Sequence, residues 1–466
     1  MFDFTPVDAG RWIAASGIVA SYAAFCWHQF RQSRRGAKAP ITQGVATDTE
    51  PILIVYASQS GQAEAIAKQT AQALSADNRQ IHLRRIEEDW QAEASAARCV
   101  LFVVSTYGEG SAPDHALRFV QANLDAGIQA KLQGIRYGLL ALGDRSYPAF
   151  CAFGRQLDAW LQASGARPQF ERIEVDRLDA EALSSWQQQL STLSENAPSS
   201  WTAETQDYSP WQFVERQCLN AGSPGSPIFL VVLQAISDDT PQWQAGDLVD
   251  ILVPQGDGYP RAYSIANLPT DGRIELIVRK HIRDNGQTGL ASGWLTEHAQ
   301  VGDQMELKIR SNPGFHLQHD ISRPLMLIGS GAGIAGLRAH LQARAKAIEE
   351  SGNPAPQRNA WLFFGERSGR HDHLCKLEIE EWKRSQVLTK VDMSFSRDDP
   401  VTPYVQHNLL ARSKEVCEWI ESGAQILICG NAKKMAPGID KALRSILGSQ
   451  QVDLLMASGR IRRDVF

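Results

Sequence analysis

The chain has 466 residues, 43% hydrophobic and 21% charged, the make-up of an ordinary globular protein of roughly two to four domains. A formal net charge of -5 argues against any global attraction to nucleic acid. Seven scattered cysteines without a CxxC pair argue against a zinc ribbon or a cysteine-ligated iron–sulfur cluster, so no metal site is expected. The odd count and irregular spacing favour reduced thiols in a cytosolic compartment.

From Trp12 to Phe30 no residue is charged apart from what His28 could carry, and the run is rich in Ala, Ile, Val and aromatics. As a helix it would span about 28 Å, close to the hydrocarbon thickness of a bilayer. Trp12 and Trp27 stand near its ends, as interfacial rings do, and Arg31, Arg34, Arg35 and Lys38 follow it. The expectation is a single-pass transmembrane anchor over 12–30, with the bulk of the chain on the cytoplasmic side. A cleaved signal peptide and a buried core helix are the rival readings. A signal peptide carries its positive charge before the apolar run, where Arg11 stands alone.

Residues 31–50 read as a basic, then polar, tether. From 51 to 193 strand and helix patterns alternate. Residues 194–210 are rich in Ser, Thr and Pro and read as a flexible linker. From 211 to 320 short strands with turn signals such as "GSPGSP" suggest a small β-barrel. From 321 to 466 the alternation returns. The fold class is therefore α/β multidomain: a doubly wound parallel sheet, a barrel, and a Rossmann-like α/β domain. Ligands of open parallel sheets bind at the carboxyl ends of the strands.

In the first alternating region three such ends carry chemistry. "SQSGQAE" places Ser58, Gln59, Ser60, Gly61 and Gln62 between a strand and a helix, where amides and hydroxyls can hold a phosphate. "STYGEG" brings Thr106 and Tyr107 onto a glycine-rich loop, and "GDRSY" brings Gly143, Asp144 and Tyr147. Gly108 and Gly110 can change backbone conformation at little cost. One phosphate nest and two rings suit a planar cofactor with a phosphate tail. This set resembles the flavodoxin-like domain that binds FMN. The resemblance implies that Ser58–Gln62 cradle the phosphate and that Tyr107 and Tyr147 flank the isoalloxazine. An acidic stretch, Glu87, Glu88 and Asp89, reads as a solvated loop, with docking of a basic partner as the alternative.

In "RAYSIAN", Arg261 and Tyr263 share one face of a strand and Ser264 takes the other. A guanidinium forks onto phosphate oxygens, a tyrosine stacks on a flat ring, and a serine hydroxyl can bond a ring nitrogen. "GLASGWL" follows, with Gly289, Ala291 and Ser292 opening a helix suited to a pyrophosphate. Together they resemble the FAD-binding barrel of the ferredoxin–NADP reductase family. "GSGAGIAG", containing Gly331, then "FFGERS", "SFSRDD", "YVQ" and "CGNAKKMA" continue the resemblance into that family's NADPH domain. It implies that Ser396, Arg397 and Tyr404 hold the 2′-phosphate and that Ser264, Cys429 and Asp464 line the hydride path. Phe466 would cover the FAD ring and move for nicotinamide to enter.

Residues 51–466 as a whole resemble the diflavin reductases, such as the sulfite reductase flavoprotein and the cytochrome reductases. The implied activity is an NADPH-dependent flavoprotein oxidoreductase using FAD and FMN, with a heme or iron protein as one-electron acceptor. A diffusible ferric chelate, quinone or free flavin is the alternative acceptor, and a non-catalytic flavin sensor the distant alternative. The chain departs from the pattern. Only Pro254–Pro260 stands where those relatives insert a large helical connecting domain. Ala332 and Gly336 replace the usual threonine and proline of the glycine-rich turn. Asn431 replaces an aspartate. Thr402 replaces a lysine, which weakens the expected preference for NADPH over NADH.

Overall fold

The computed structural model describes residues 51–466, apart from 76–79, 87–89, 98, 108–109, 128–129, 146, 194–207, 238–240, 255, 257, 284–285, 318–321 and 353–358. The expected anchor over 12–30, the tether, the acidic stretch Glu87–Asp89, Gly108 and most of the expected linker lie outside the described residues. Among the described residues no helix is long and apolar enough to cross a membrane.

The first sheet is built from β1 (Ile52–Ala57), β2 (Ile81–Arg85), β3 (Cys99–Ser105), β4 (Arg136–Gly143), β5 (Arg167–Pro168) and β6 (Ile173–Asp176). Its order is β2-β1-β3-β4-β5, with β6 also paired to β4, and every pairing is parallel. β1 and nearly all of β3 are buried, because a parallel sheet covered on both faces needs continuous apolar runs. This is the flavodoxin-like order, whose switch point lies between β1 and β3.

The second sheet is antiparallel: β7 (Ser209–Cys218), β8 (Ile228–Ala235), β9 (Leu248–Leu252), β10 (Arg261–Ser264), β11 (Arg273–Arg279) and β12 (Gln304–Arg310), in the order β10-β9-β12-β7-β8-β11. β9 and β10 form a hairpin with Arg261 opposite Ile251, so no domain intervenes between them. The third sheet is parallel: β13 (Leu325–Ser330), β14 (Ala360–Glu366), β15 (Lys390–Phe395), β16 (Gln425–Gly430) and β17 (Ile461–Val465), in the order β15-β14-β13-β16-β17. Its reversal between β13 and β16 is a second switch point.

The barrel and the third sheet share one core. Ile228, Ala266 and Ile277 of the barrel pack with Leu327, Leu337 and Phe364, and Phe315 is buried among them. Arg338 stitches the same seam: it bonds Ala266 O at 2.8 Å and pairs with Glu275 at 2.6 Å and Glu378 at 2.8 Å. Two carboxylates and a carbonyl around a mostly buried guanidinium offset its desolvation.

Candidate functional site

The turn after β1 runs from Ser58 to Gly61 and opens the helix Gln62–Leu74. Gly61 sits at φ 83°, a conformation that favours glycine, and no side chain caps the helix. The backbone amides of Gln59, Ser60 and Gly61 have no acceptor among the described residues. The buried Ser58 Oγ has no partner there either. Orphaned donors at a helix start fit the phosphate that the sequence leads one to expect. The Gln59 side chain has another task. It donates to Asp114 Oδ2 at 3.0 Å and accepts from the Asp114 amide at 2.8 Å.

The other two loops converge on the same end of the sheet. Tyr107 closes its loop on itself through two bonds with Ser111, and Gly110 follows at φ 107°. Burial pushes the Tyr107 phenol well above its ordinary range, so it stays protonated. The Thr106 hydroxyl accepts the amide of Phe153 at 3.2 Å. Gly143 abuts Cys151, where a Cβ would meet backbone at 2.9 Å. Asp144 lies 3.9 Å from Arg177, and Lys433 lies 5.0 Å above the Tyr147 ring.

On the barrel, Arg261 donates to the carbonyl of Tyr259 at 2.8 Å, and Tyr263 is half-buried beside it with its phenol pushed up by desolvation. Gly289 precedes the short helix Leu290–Gly293, with Ala291 and Ser292 buried in it. A Cβ on Gly289 would stand 2.9 Å from Ser292 Oγ, so glycine keeps this cradle open. The cradle fits a close-approaching pyrophosphate.

The structure brings Ser264, Cys429 and Asp464 together. The Ser264 hydroxyl donates to Asp464 Oδ2 at 2.6 Å, and the Cys429 thiol approaches the same oxygen at 3.7 Å. Cys429 and Asp464 are register partners on β16 and β17. Burial pushes the Asp464 carboxyl up, while its bonds to Ser264 and Cys429 pull it back. Burial raises the Cys429 thiol well above its usual value, so it is no thiolate at neutral pH. Gly336 has no side chain to fill this corner: a Cβ there would stand 3.2 Å from Cys429 Sγ and 3.2 Å from Phe315. Phe466 is tied by its backbone to Gly430 and Ala432, while its side chain leaves it 52% exposed.

At the carboxyl ends of β13 and β15 lie the remaining expected residues. Gly331 adopts φ 60°, with Arg279 and Glu366 paired beside it. Ser396 and Arg397 are held by backbone bonds to Glu366 and Arg367. The exposed Arg397 side chain has no partner among the described residues, and Tyr404 is 53% exposed nearby in sequence. An unengaged guanidinium fits a phosphate. Thr402, where a lysine is usual, bonds the Asp399 carboxylate instead, which holds that carboxyl below its ordinary value.

Four residues that the sequence reading did not single out complete the region: Asp114, His115, Arg310 and Arg463. Arg463 pairs with Asp114 across the two modules. Arg310 is held by both oxygens of Asp250, at 2.8 and 3.1 Å, and donates to Ser60 O at 2.7 Å. His115 Nε2 accepts the Ser58 amide at 3.1 Å. Each joins segments distant in sequence, so no local pattern marks them.

Comparison with known proteins agrees with this architecture. Residues 54–186 match the flavodoxin family, and residues 327–441 match the oxidoreductase NAD-binding domain. The chain is an NADPH-dependent flavoprotein oxidoreductase: its flavodoxin domain implies FMN, and its nicotinamide-nucleotide module implies FAD and NADPH. The relatives point the same way. The sulfite reductase (NADPH) flavoprotein alpha-component of Vibrio vulnificus (strain CMCP6) is 25% identical over 583 aligned positions, covering 96% of this chain and 93% of the relative. The protein of the same name from Bacillus subtilis (strain 168) is 24% identical, covering 86% of this chain and 85% of the relative. The 583 positions of the first alignment exceed the 466 residues of this chain, so the relative carries residues that this chain lacks.

Proposed function

We propose that the protein is an NADPH-dependent reductase in which electrons run from NADPH by way of FAD and FMN to a one-electron acceptor, a heme or iron protein held at or near a membrane. The observation that carries the reading is the convergence of the two flavin regions on β17. Tyr107 and Gln59 of the first module touch the strand that also carries Asp464 and leads to Phe466.

When bound, the nicotinamide and the two flavins supply the conversion of a two-electron donor into one-electron steps. The chain's own residues set the geometry. Ser58, with the amides of Gln59, Ser60 and Gly61, would hold the FMN phosphate, and Tyr107 and Tyr147 its ring. Arg261, Tyr263, Gly289, Ala291 and Ser292 would hold FAD. Gly331, Ser396, Arg397 and Tyr404 would orient NADPH. Asp464 keeps the Ser264 hydroxyl and the Cys429 thiol in one arrangement in a dry corner, where oriented dipoles act strongly. The half-exposed Phe466 ring would move without breaking the backbone bonds to Gly430 and Ala432.

The membrane assignment rests on the apolar run 12–30 and the cations after it, which support a single-pass anchor with the catalytic domains cytoplasmic. The test is stopped-flow absorbance of the flavin-loaded protein mixed with NADPH and then with NADH, with ferricyanide turnover beside it. Fast bleaching of both flavins by NADPH supports the relay. Binding of flavin without consumption of NADPH would reduce the protein to a sensor. Retention of the full chain in membranes after alkaline carbonate washing tests the anchor, and complete release would remove it.

A further inference from the structure

β17 ends the third sheet, so one of its edges lacks a strand partner among the described residues. That edge is engaged by side chains of the flavodoxin module. Gln59 Nε2 donates to Arg463 O at 3.4 Å, and the Val465 amide donates to the Tyr107 hydroxyl oxygen at 3.2 Å. Between these bonds the Arg463 guanidinium forks onto both oxygens of Asp114, with Nε 3.2 Å from Oδ2. It also lies 5.5 Å from the centre of the Tyr107 ring. The side chains of the pair are 16% and 11% exposed. Gln59 holds the back of the same carboxylate. Removing one partner of such a desolvated pair leaves a stranded charge, which costs far more than loss of a surface pair.

We propose that Asp114, Gln59 and Arg463 form a polar latch that seats the flavodoxin module on the free edge of β17, so that side chains perform the positioning for which this chain has no intervening domain. The latch flanks the hydride site: Asp464 stands between the two residues of β17 that the first module grips. Its importance for electron transfer rests on the reading above, but the seating itself does not.

The experiment is amide hydrogen exchange on the full chain without cofactors, comparing the native protein with Asp114→Asn, Arg463→Gln and Arg463→Lys. The expected result is protection of the Val465 amide that falls at least tenfold in Asp114→Asn and Arg463→Gln and less in Arg463→Lys. Protection of β13 and β14 stays constant. Unchanged protection at Val465 in both charge-removing variants overturns the proposal. Should Asp114→Asn fail to fold, a Gln121→Cys/Asp453→Cys pair, whose native side chains bond at 2.7 Å, reports seating by its rate of cross-linking. Cross-linking as fast with Arg463→Gln as without it also overturns the proposal. Flavin-loaded native protein in which only one flavin bleaches would count against the relay and leave the exchange result to judge the latch.

Discussion

A single carboxylate organises the corner proposed for hydride transfer. Asp464 is half-buried and accepts from Ser264, while the Cys429 thiol stays protonated beside it. Asp464→Asn keeps the shape and removes the charge, so flavin reduction by NADPH should slow roughly 10²-fold with little change in NADPH binding, as followed by stopped-flow absorbance. At the proposed 2′-phosphate position, charge-assisted bonds of roughly 1.5–3 kcal/mol are at stake. Arg397→Ala should therefore raise KM for NADPH about 10- to 100-fold and leave NADH unaffected. Thr402→Lys should shift steady-state preference the other way, because it adds a cation beside Asp399. His115 offers a pH test. Burial lowers its imidazole from 6.5 to about 4, with Arg85 adding to the effect and Asp114 and Glu64 opposing it. The unfolded chain therefore takes up this proton first. The contribution to stability is complete above about pH 6.5 and is lost as pH falls towards about 4. Thermal melts over that window should show the decline, and His115→Asn should flatten it.

At the scale of elements, the turn after β13 works by backbone proximity. A Cβ on Gly333 would fall well inside contact distance of the Cys429 carbonyl, which belongs to a central strand and cannot retreat. Gly333→Ala should cost about 1–3 kcal/mol of stability, read from denaturant midpoints. The turn after β1 follows a different logic. The amides of Gln59, Ser60 and Gly61 are left unbonded among the described residues, and the helix behind them has no side-chain cap. Such a turn gains from an anion what a capped helix already has. The hairpin of β9 and β10 is the third informative element, since its register leaves the FAD-type strand directly joined to its neighbour.

At the scale of the molecule, the two switch points of the parallel sheets face a common region that includes β17. The contact is mostly buried: the Asp114–Arg463 pair, the Arg310 bond to Ser60, and Leu117 packed against the third core. Buried pairs are screened much less than surface pairs. The radius of gyration from small-angle scattering should therefore stay constant as salt rises from about 0.05 to about 0.5 M. A marked expansion would mean that exposed contacts such as Gln121–Asp453 carry the docking.

The sequence by itself determined the elements and their local chemistry. Short apolar runs such as "ILIVYA" and "CVLFVVS", bounded by turn residues and rich in β-branched residues, read as buried strands. The glycines and hydroxyls after them mark candidate ligand turns, because helix starts and left-handed turns are local needs. The trio Ser264, Cys429 and Asp464 was reached through resemblance; only the fold shows one carboxylate oxygen serving both partners. What only the tertiary structure decided is how the modules meet. The Gln59 side chain became a docking contact while its amide stays in the turn after β1, and Asp114, His115, Arg310 and Arg463 acquired roles no motif announced. An ion pair between residues 349 positions apart has no sequence period. It exists because two sheets, each fixed by its own core, present complementary charges at one strand edge.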